Sequence, residues 1–133
     1  MIRVSNLEKS KKFFVEGFGF KVIREKEYPD WKCTLCYLAD DEGGSEVELT
    51  YNWGSGENYS NARNFGHLAV EVEDIYETCE NLKNMGVVIN RPPRDGHMAF
   101  VLTPDKISIE ILQKGDNLET KEPWVSMENI GSW

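Results

Sequence analysis

Apolar and polar residues follow the same pattern in two stretches of the chain, residues 2–23 and 68–89. Each stretch opens with a short alternating segment, which is typical of a β-strand with one buried face. Apolar positions then recur at helical spacing after Asn6 in the first stretch and after Asp74 in the second. Both residues are good helix N-caps. The pattern therefore predicts a strand followed by a helix, twice.

Further strands are predicted after each helix. Gly17 and Gly19 are expected to end the first helix, and Gly86 the second, since glycine adopts positive φ readily. Short apolar runs then alternate with turn-rich segments. The predicted strands lie at residues 20–27, 33–39 and 46–51 in the first half and at 87–90, 97–102 and 107–113 in the second. The fold class is therefore α+β, with two tandem βαβββ modules.

The length of 133 residues suits a single domain. Its predicted parts are module one (1–52), a Gly-, Ser- and Asn-rich linker (53–64), module two (65–113) and a polar C-terminal tail (114–133). The tail contains Trp124 and Trp133, so we expect it to pack through these aromatic side chains.

Charge and composition narrow the range of partners. The chain has 15 Lys and Arg against 23 Asp and Glu, a net charge of -8. This balance repels phosphate backbones and anionic lipid surfaces, so we expect a small-molecule ligand, with no nucleic acid and no membrane. No apolar stretch approaches the ~20 residues that cross a bilayer, and the first residues lack a secretory layout, so a cytoplasmic location is expected.

The three cysteines are Cys33, Cys36 and Cys79, an odd number that argues against a disulfide framework. Cys33 and Cys36 have the C-x-x-C spacing but lie in a predicted strand. Residues three apart in a strand point to opposite faces. Ordinary packing is therefore favoured over redox chemistry or zinc binding.

Both modules close with a strand that carries a glutamate between apolar residues, in Val47-Glu48-Leu49 and Ile109-Glu110-Ile111. A carboxylate among side chains that should be buried is costly unless it is paired or binds a cation. A single strand glutamate is usually just solvated. The recurrence at the same place in both repeats favours metal ligation.

His67 opens the first strand of module two and is a third candidate ligand. Aligning Val72 on Val4 places its repeat counterpart at position −1, two residues before Met1. Either the chain is a truncated form of a longer reading frame, or water or another side chain completes the site. His97 is the other histidine, and an ordinary loop-to-strand role is favoured for it. A mixed nitrogen and oxygen site suits Ni²⁺, Co²⁺, Zn²⁺ or Mn²⁺.

Four segments together resemble the glyoxalase I (lactoylglutathione lyase) family of the vicinal oxygen chelate superfamily. They are MIRVSNLEKSKKFF, EVELTYNWG, RNFGHLAVEVEDI and MAFVLTPDKISIEIL. ELTYNW is the most specific, since related dioxygenases, epimerases and antibiotic-resistance proteins do not usually carry it. The resemblance implies sheets curved around a metal cleft and a homodimer with metal sites at the subunit interface. It also implies isomerisation of the glutathione–methylglyoxal hemithioacetal to S-lactoylglutathione through an enediolate.

The resemblance further implies roles for individual residues. Glu48, His67 and Glu110 match metal ligands of the family, and Glu110 matches the residue that also moves protons. The implied contacts to the co-substrate glutathione are Arg3 and Asn52 at its γ-glutamyl end, Arg63 at its glycyl carboxylate and Arg91 in an assisting position. The compact length resembles the bacterial type associated with Ni²⁺ or Co²⁺ rather than the longer Zn²⁺ type.

Three departures from the family pattern stand out: the missing first-strand histidine, Lys106 in place of a turn glycine, and Ser108 where larger residues often occur. The missing ligand leaves open an inactive or metal-poor binding module of the same fold. A further alternative is another enzyme of the class, such as a glutathione transferase or an epimerase. ELTYNW and Arg63 weigh against that alternative.

Overall fold

The computed structural model describes residues 1–41, 43–56, 58–59 and 66–133. The chain forms two compact units, Met1–Ser60 and Asn61–Trp133. The boundary between them falls within the predicted linker. Each unit contains one helix and a four-stranded sheet in βαβββ order, which confirms the predicted fold class.

The first unit consists of β1 (Ile2–Arg3), α1 (Leu7–Phe18), β2 (Lys21–Tyr28), a 3₁₀ turn (Pro29–Trp31), β3 (Cys33–Ala39) and β4 (Val47–Asn52). The second consists of β5 (His67–Val72), α2 (Ile75–Asn84), β6 (Ile89–Arg91), β7 (Met98–Leu102) and β8 (Ser108–Gln113).

Both sheets have the same strand order, β1-β4-β3-β2 in the first unit and β5-β8-β7-β6 in the second. The first strand of each unit runs parallel to the last, and the other neighbours are antiparallel. Ile2 lies opposite Leu49, and Val70 lies opposite Ile111. Ile2 and Val70 are thus equivalent positions of the two first strands, in agreement with the alignment of Val72 on Val4 that the sequence pattern predicts.

The predicted caps start both helices. The Asn6 side chain accepts a hydrogen bond from the Lys9 N–H at 2.9 Å. The Asp74 carboxylate accepts two, from Tyr76 and Glu77, at 2.8 and 3.0 Å. These bonds satisfy donors that an uncapped helix leaves without partners.

The prediction that Gly17 helps to end α1 is wrong. The helix continues through Gly17, which is buried, and ends at Phe18. Gly19 makes the turn, with φ 73°, and its N–H donates to the Val15 carbonyl at 3.0 Å. A glycine inside a helix costs only about 1 kcal/mol, so buried packing outweighs its weak helix propensity.

Each helix packs on one face of its own sheet, and we call the opposite face the open face. In the second unit, Gln113 of β8 accepts a hydrogen bond from the first N–H of α2, at Ile75, so it lies on the helix side. Ile109 and Ile111 share that side and are completely buried. Glu110 alternates with them and therefore lies on the open face.

The first unit is arranged alike. Lys11 of α1 contacts Glu25 of β2 at 2.9 Å, which marks the helix side of that sheet. Cys36 of β3 lies opposite Glu25 on one side and opposite Leu49 on the other, so Leu49 is also on the helix side. Leu49 is completely buried. Glu48 therefore lies on the open face, as Glu110 does in its unit.

The cysteines behave as predicted. Cys33 and Cys36 belong to β3, at positions whose side chains point to opposite faces, and with Cys79 all three are buried free thiols. None of the described helices is both long and apolar enough to span a membrane.

Candidate metal centre

His67 and Glu110 meet on the open face of the second sheet. β5 lies beside β8, with His67 opposite Ser108 and Ala69 opposite Glu110. His67 Nε2 lies 3.0 Å from Glu110 Oε2. The carboxylate is 18% exposed and the imidazole 42%, so the pair is accessible from the open face. The structure thus joins two of the three predicted ligands.

An aromatic side chain borders this pair. Phe100 of β7 lies opposite Glu110 in the register. Its ring centre is 5.4 Å from that of His67, and the two rings meet edge to face at 86°. Phe100 is 8% exposed, so it forms an apolar boundary beside the two polar groups.

Glu48 is the carboxylate of the first unit, and two hydroxyl groups contact it. Thr50 Oγ1 donates to Glu48 Oε1 at 2.9 Å. Tyr37, opposite Glu48 in the β3–β4 register, donates its phenol hydrogen to the same carboxylate. Partial burial raises the pKa of Tyr37 above its ordinary value, and the hydrogen bond to Glu48 raises it further. Both contacts orient the Glu48 carboxylate.

Arg3 and Asn52 lie on the open face with Glu48. Arg3 is opposite Thr50 in the parallel β1–β4 pair, and Asn52 follows Thr50 by two residues. Side chains two apart on a strand share a face. Asn52 Nδ2 lies 3.5 Å from the Tyr59 hydroxyl, at the limit of a hydrogen bond.

Arg91 is engaged by its own turn. Its guanidinium lies 2.7 Å from Asp95 Oδ2 and also donates to the Met98 carbonyl. Burial alone would raise the pKa of Asp95, but hydrogen bonds from Arg91 and from the Met98 and His97 N–H groups outweigh it and lower the pKa to about 2. Arg91 therefore anchors the approach to β7. Arg63 lies outside the residues that the structure describes.

His97 does not complete the site. Met98 and Phe100 share the open face with Glu110, and alternation places His97 on the helix side. Its Nδ1 atom is buried and has no hydrogen-bond partner among the described residues.

The second unit offers a nitrogen and an oxygen donor that fit a divalent metal ion. His67 and Glu110 form a mixed pair that borderline ions accept. Ser108 Oγ, opposite His67, is buried without a partner in the described part of the chain. Within either unit, the described residues contain no group of three or more His, Cys, Asp or Glu suited to hold a metal.

Sequence reasoning did not single out Tyr37, Thr50 or Phe100. Thr50 could have been found, since it lies two residues after Glu48 on the same predicted strand. The proximity of Tyr37 and Phe100 to the two glutamates depends on cross-strand register, which the length of the intervening turns does not specify.

Two βαβββ units, each with a glutamate at the same place on the open face of its last strand, define the vicinal oxygen chelate class of protein. A family model described as Glyoxalase/Bleomycin resistance protein/Dioxygenase superfamily matches residues 1–111. The chain belongs to this superfamily.

Individual relatives point to one branch of it. A probable lactoylglutathione lyase of Vibrio cholerae is 39% identical over 120 residues, covering 85% of this chain and 86% of that protein. A lactoylglutathione lyase of Neisseria meningitidis is 41% identical over 121 residues, covering 86% and 87%. The solved trypanothione-dependent glyoxalase I of Leishmania major is 38% identical with a TM-score of 0.80, covering 86% of this chain and 83% of its own.

Proposed function

We propose that this chain is a glyoxalase I that converts the glutathione–methylglyoxal hemithioacetal to S-lactoylglutathione and so removes methylglyoxal. The observation that carries the proposal is the His67–Glu110 pair on the open face of the second sheet, 3.0 Å apart. It occurs in a chain about 40% identical to lactoylglutathione lyases over most of its length.

Glu48, His67 and Glu110 are the proposed metal ligands. We expect Ni²⁺ first, with Co²⁺ and Zn²⁺ as alternatives, because the chain resembles the compact bacterial type of glyoxalase I that is associated with Ni²⁺ or Co²⁺. The imidazole of His67 suits these ions. A divalent ion held by these residues would supply Lewis-acid polarisation of the hemithioacetal oxygens, and the carbon-bound hydrogen would then be more acidic. Thr50 and Tyr37 hold the carboxylate of Glu48 in one orientation.

Glu110 is the proposed proton carrier. Its carboxylate takes a proton from the carbon that bears the sulfur and returns it to the neighbouring carbon by way of an enediolate. The hydroxyl proton of the first carbon passes to the oxygen of the second, so that a carbonyl forms at the first carbon and a hydroxyl at the second. The product thioester has the same atoms as the substrate, so no oxidant or reductant is needed.

Basic residues on the open face of the first sheet suit an anionic co-substrate. The chain is acidic overall, but Lys26 lies over the ring of Tyr28 on that face. Arg24 lies over the ring of Tyr37, and its guanidinium donates to both carboxylate oxygens of Glu46, at 2.5 and 2.7 Å. Arg3 and Asn52 share the face and are the proposed contacts for the γ-glutamyl end of glutathione. Arg63 is the proposed contact for the glycyl carboxylate. Arg91 can assist only by leaving Asp95.

The proposed assembly is a homodimer with metal sites at the subunit interface, located in the cytoplasm. Three buried free thiols, with no disulfide among them, fit a reducing compartment.

Replacing Glu110 by Gln tests the assignment. Loss of the carrier carboxylate should lower kcat by at least about a hundredfold, since general acid–base catalysis contributes that much or more. Glu71→Gln is the matched control, because Glu71 is exposed and lies on the same strand face as His67. It should keep activity within about twofold of the unchanged protein.

Isomerase activity, metal content and circular dichroism should be measured together on both variants. Undiminished turnover by Glu110→Gln would remove Glu110 from the mechanism. An inactive parent chain that still binds glutathione analogues would favour the non-catalytic binding module instead.

A further inference from the structure

The C-terminal tail ends beside the His67–Glu110 pair. The Trp133 ring stacks on Phe100, with ring centres 5.6 Å apart and an angle of 27° between the planes. Phe100 in turn contacts His67, and His67 contacts Glu110. Four side chains therefore follow one another across the open face of the second unit.

The position of Trp133 depends on the segment before it, which hydrogen bonds hold in place. The Ile130 N–H donates to the Asn90 carbonyl at 2.9 Å, and Asn90 Nδ2 donates to the Ile130 carbonyl at 2.8 Å. Arg94 donates to the Met127 carbonyl at 2.8 Å and to Asn129 Oδ1 at 2.9 Å. These four bonds hold the tail against β6 and the loop that follows it.

A turn at Gly131 then directs the chain toward Phe100. Gly131 has φ +67°, a conformation that other residues adopt only with strain. The fastening and the turn together specify where the Trp133 indole lies. Trp133 as a whole is 40% exposed, and its ring stacks on Phe100.

The side chain of the aldehyde is the variable part of a hemithioacetal, because the thiol part is the same for every aldehyde. This side chain is attached to one of the two carbons between which Glu110 moves a proton. It must therefore lie near Glu110 during the reaction. In the second unit the apolar surface beside Glu110 is Phe100, and Trp133 extends it.

We propose that Trp133 is a specificity-determining residue that favours α-oxoaldehydes with aromatic or bulky apolar side chains over methylglyoxal. The inference rests on the proposed function. An aromatic side chain gains ring contacts with the indole, whereas a methyl group is too small to reach beyond Phe100.

The test compares kcat/KM for the glutathione hemithioacetals of phenylglyoxal and methylglyoxal. Trp133→Ala should lower the phenyl-to-methyl ratio by about tenfold, with the methylglyoxal value within about twofold of the unchanged protein. Trp133→Phe should restore most of the ratio, because a ring remains. Trp31→Ala is the matched control. Trp31 is 72% exposed in the 3₁₀ turn of the first unit, and its loss should leave the ratio unchanged.

A ratio within twofold of the parent value in Trp133→Ala would overturn the inference, as would an equal loss with both substrates. If the parent chain turns over neither substrate, the proposed function fails, and the role of Trp133 is then tested by ligand binding. Calorimetry with S-benzylglutathione and S-methylglutathione then provides the readout. A benzyl preference that disappears in Trp133→Ala supports the role of Trp133, and an unchanged preference refutes it.

Discussion

Lys106 has a backbone conformation that is unfavourable for residues other than glycine. Lys106 has φ 63°, in the left-handed region that favours glycine. Its N–H donates to the Thr103 carbonyl, and the Thr103 N–H donates to the Ile107 carbonyl, both at 2.9 Å. These bonds close the turn between β7 and β8. A turn of this geometry favours glycine at this position.

Replacing Lys106 by Gly should raise the free energy of unfolding by about 0.5–1 kcal/mol. Removing the Cβ relieves a steric cost of about 1–2 kcal/mol, and the greater freedom of glycine in the unfolded chain offsets part of this gain. Urea denaturation followed by circular dichroism measures the change. Lys12→Gly, at an exposed position in α1, should instead destabilise by about 1 kcal/mol. A loss of stability in Lys106→Gly would contradict the strain argument.

The thiols illustrate a second property that depends on single residues. Burial raises the pKa of Cys79 to about 12. Burial, with the nearby negative charge of Glu25, raises the pKa of Cys36 to about 11. A thiolate is the reactive and metal-binding form of cysteine. Both residues therefore serve packing, which agrees with the interpretation of the C-x-x-C spacing as part of a strand.

At the scale of the element, α2 begins with an unusually complete set of hydrogen bonds. The Asp74 carboxylate accepts from Tyr76 and Glu77, and the Gln113 side chain accepts from Ile75. Gln113 also donates to the Glu73 carbonyl at 2.8 Å. The start of the helix is thereby tied to the end of β8, the strand that carries Glu110. The cap thus supports the placement of the candidate metal centre.

Asp74→Ala should destabilise the protein by about 1–2 kcal/mol, the upper part of the range for losing an N-cap, because two N–H groups lose their acceptor. Asn6→Ala should cost less, since Asn6 accepts one such bond. Glu80→Ala, exposed in the middle of α2, is the control and should stay within about 0.5 kcal/mol. Thermal unfolding of the three variants gives the order. An equal effect for Asp74→Ala and Glu80→Ala would refute the role of the cap.

At the scale of the whole molecule, the repeat has a functional consequence. Each unit carries one glutamate on its open face, at the same position of its last strand. The second unit adds His67 to its glutamate. The proposed ligands are therefore Glu48 in the first unit and His67 and Glu110 in the second.

Native mass spectrometry in the presence of Ni²⁺, Co²⁺ or Zn²⁺ tests this arrangement together with the assembly. We expect a species of two chains with up to two metal ions, and Ni²⁺ to be retained best. The same chain extended by two residues, with a histidine at position −1, should retain metal more firmly, because an added ligand strengthens coordination. Isomerase activity should follow metal occupancy. Monomers without metal in both forms would contradict the proposed homodimer and metal centre.

Local patterns in the sequence were sufficient to predict the order and type of the elements. Alternation, helical spacing and capping residues act over a few positions, so they indicated both helices, their start at Asn6 and Asp74, and the strands around them. The same local pattern identified Glu48 and Glu110 as carboxylates on otherwise apolar strands. It failed at Gly17, where burial against the sheet outweighed a weak local preference.

Only the tertiary structure decided which side chains meet. The His67–Glu110 contact depends on the parallel pairing of β5 with β8, which are distant in sequence. The stacking of Trp133 on Phe100 depends equally on a tail held by hydrogen bonds to residues far from it in sequence. Strand pairing, register and the packing of a terminal segment arise from contacts between remote residues, and no short window of sequence contains both partners.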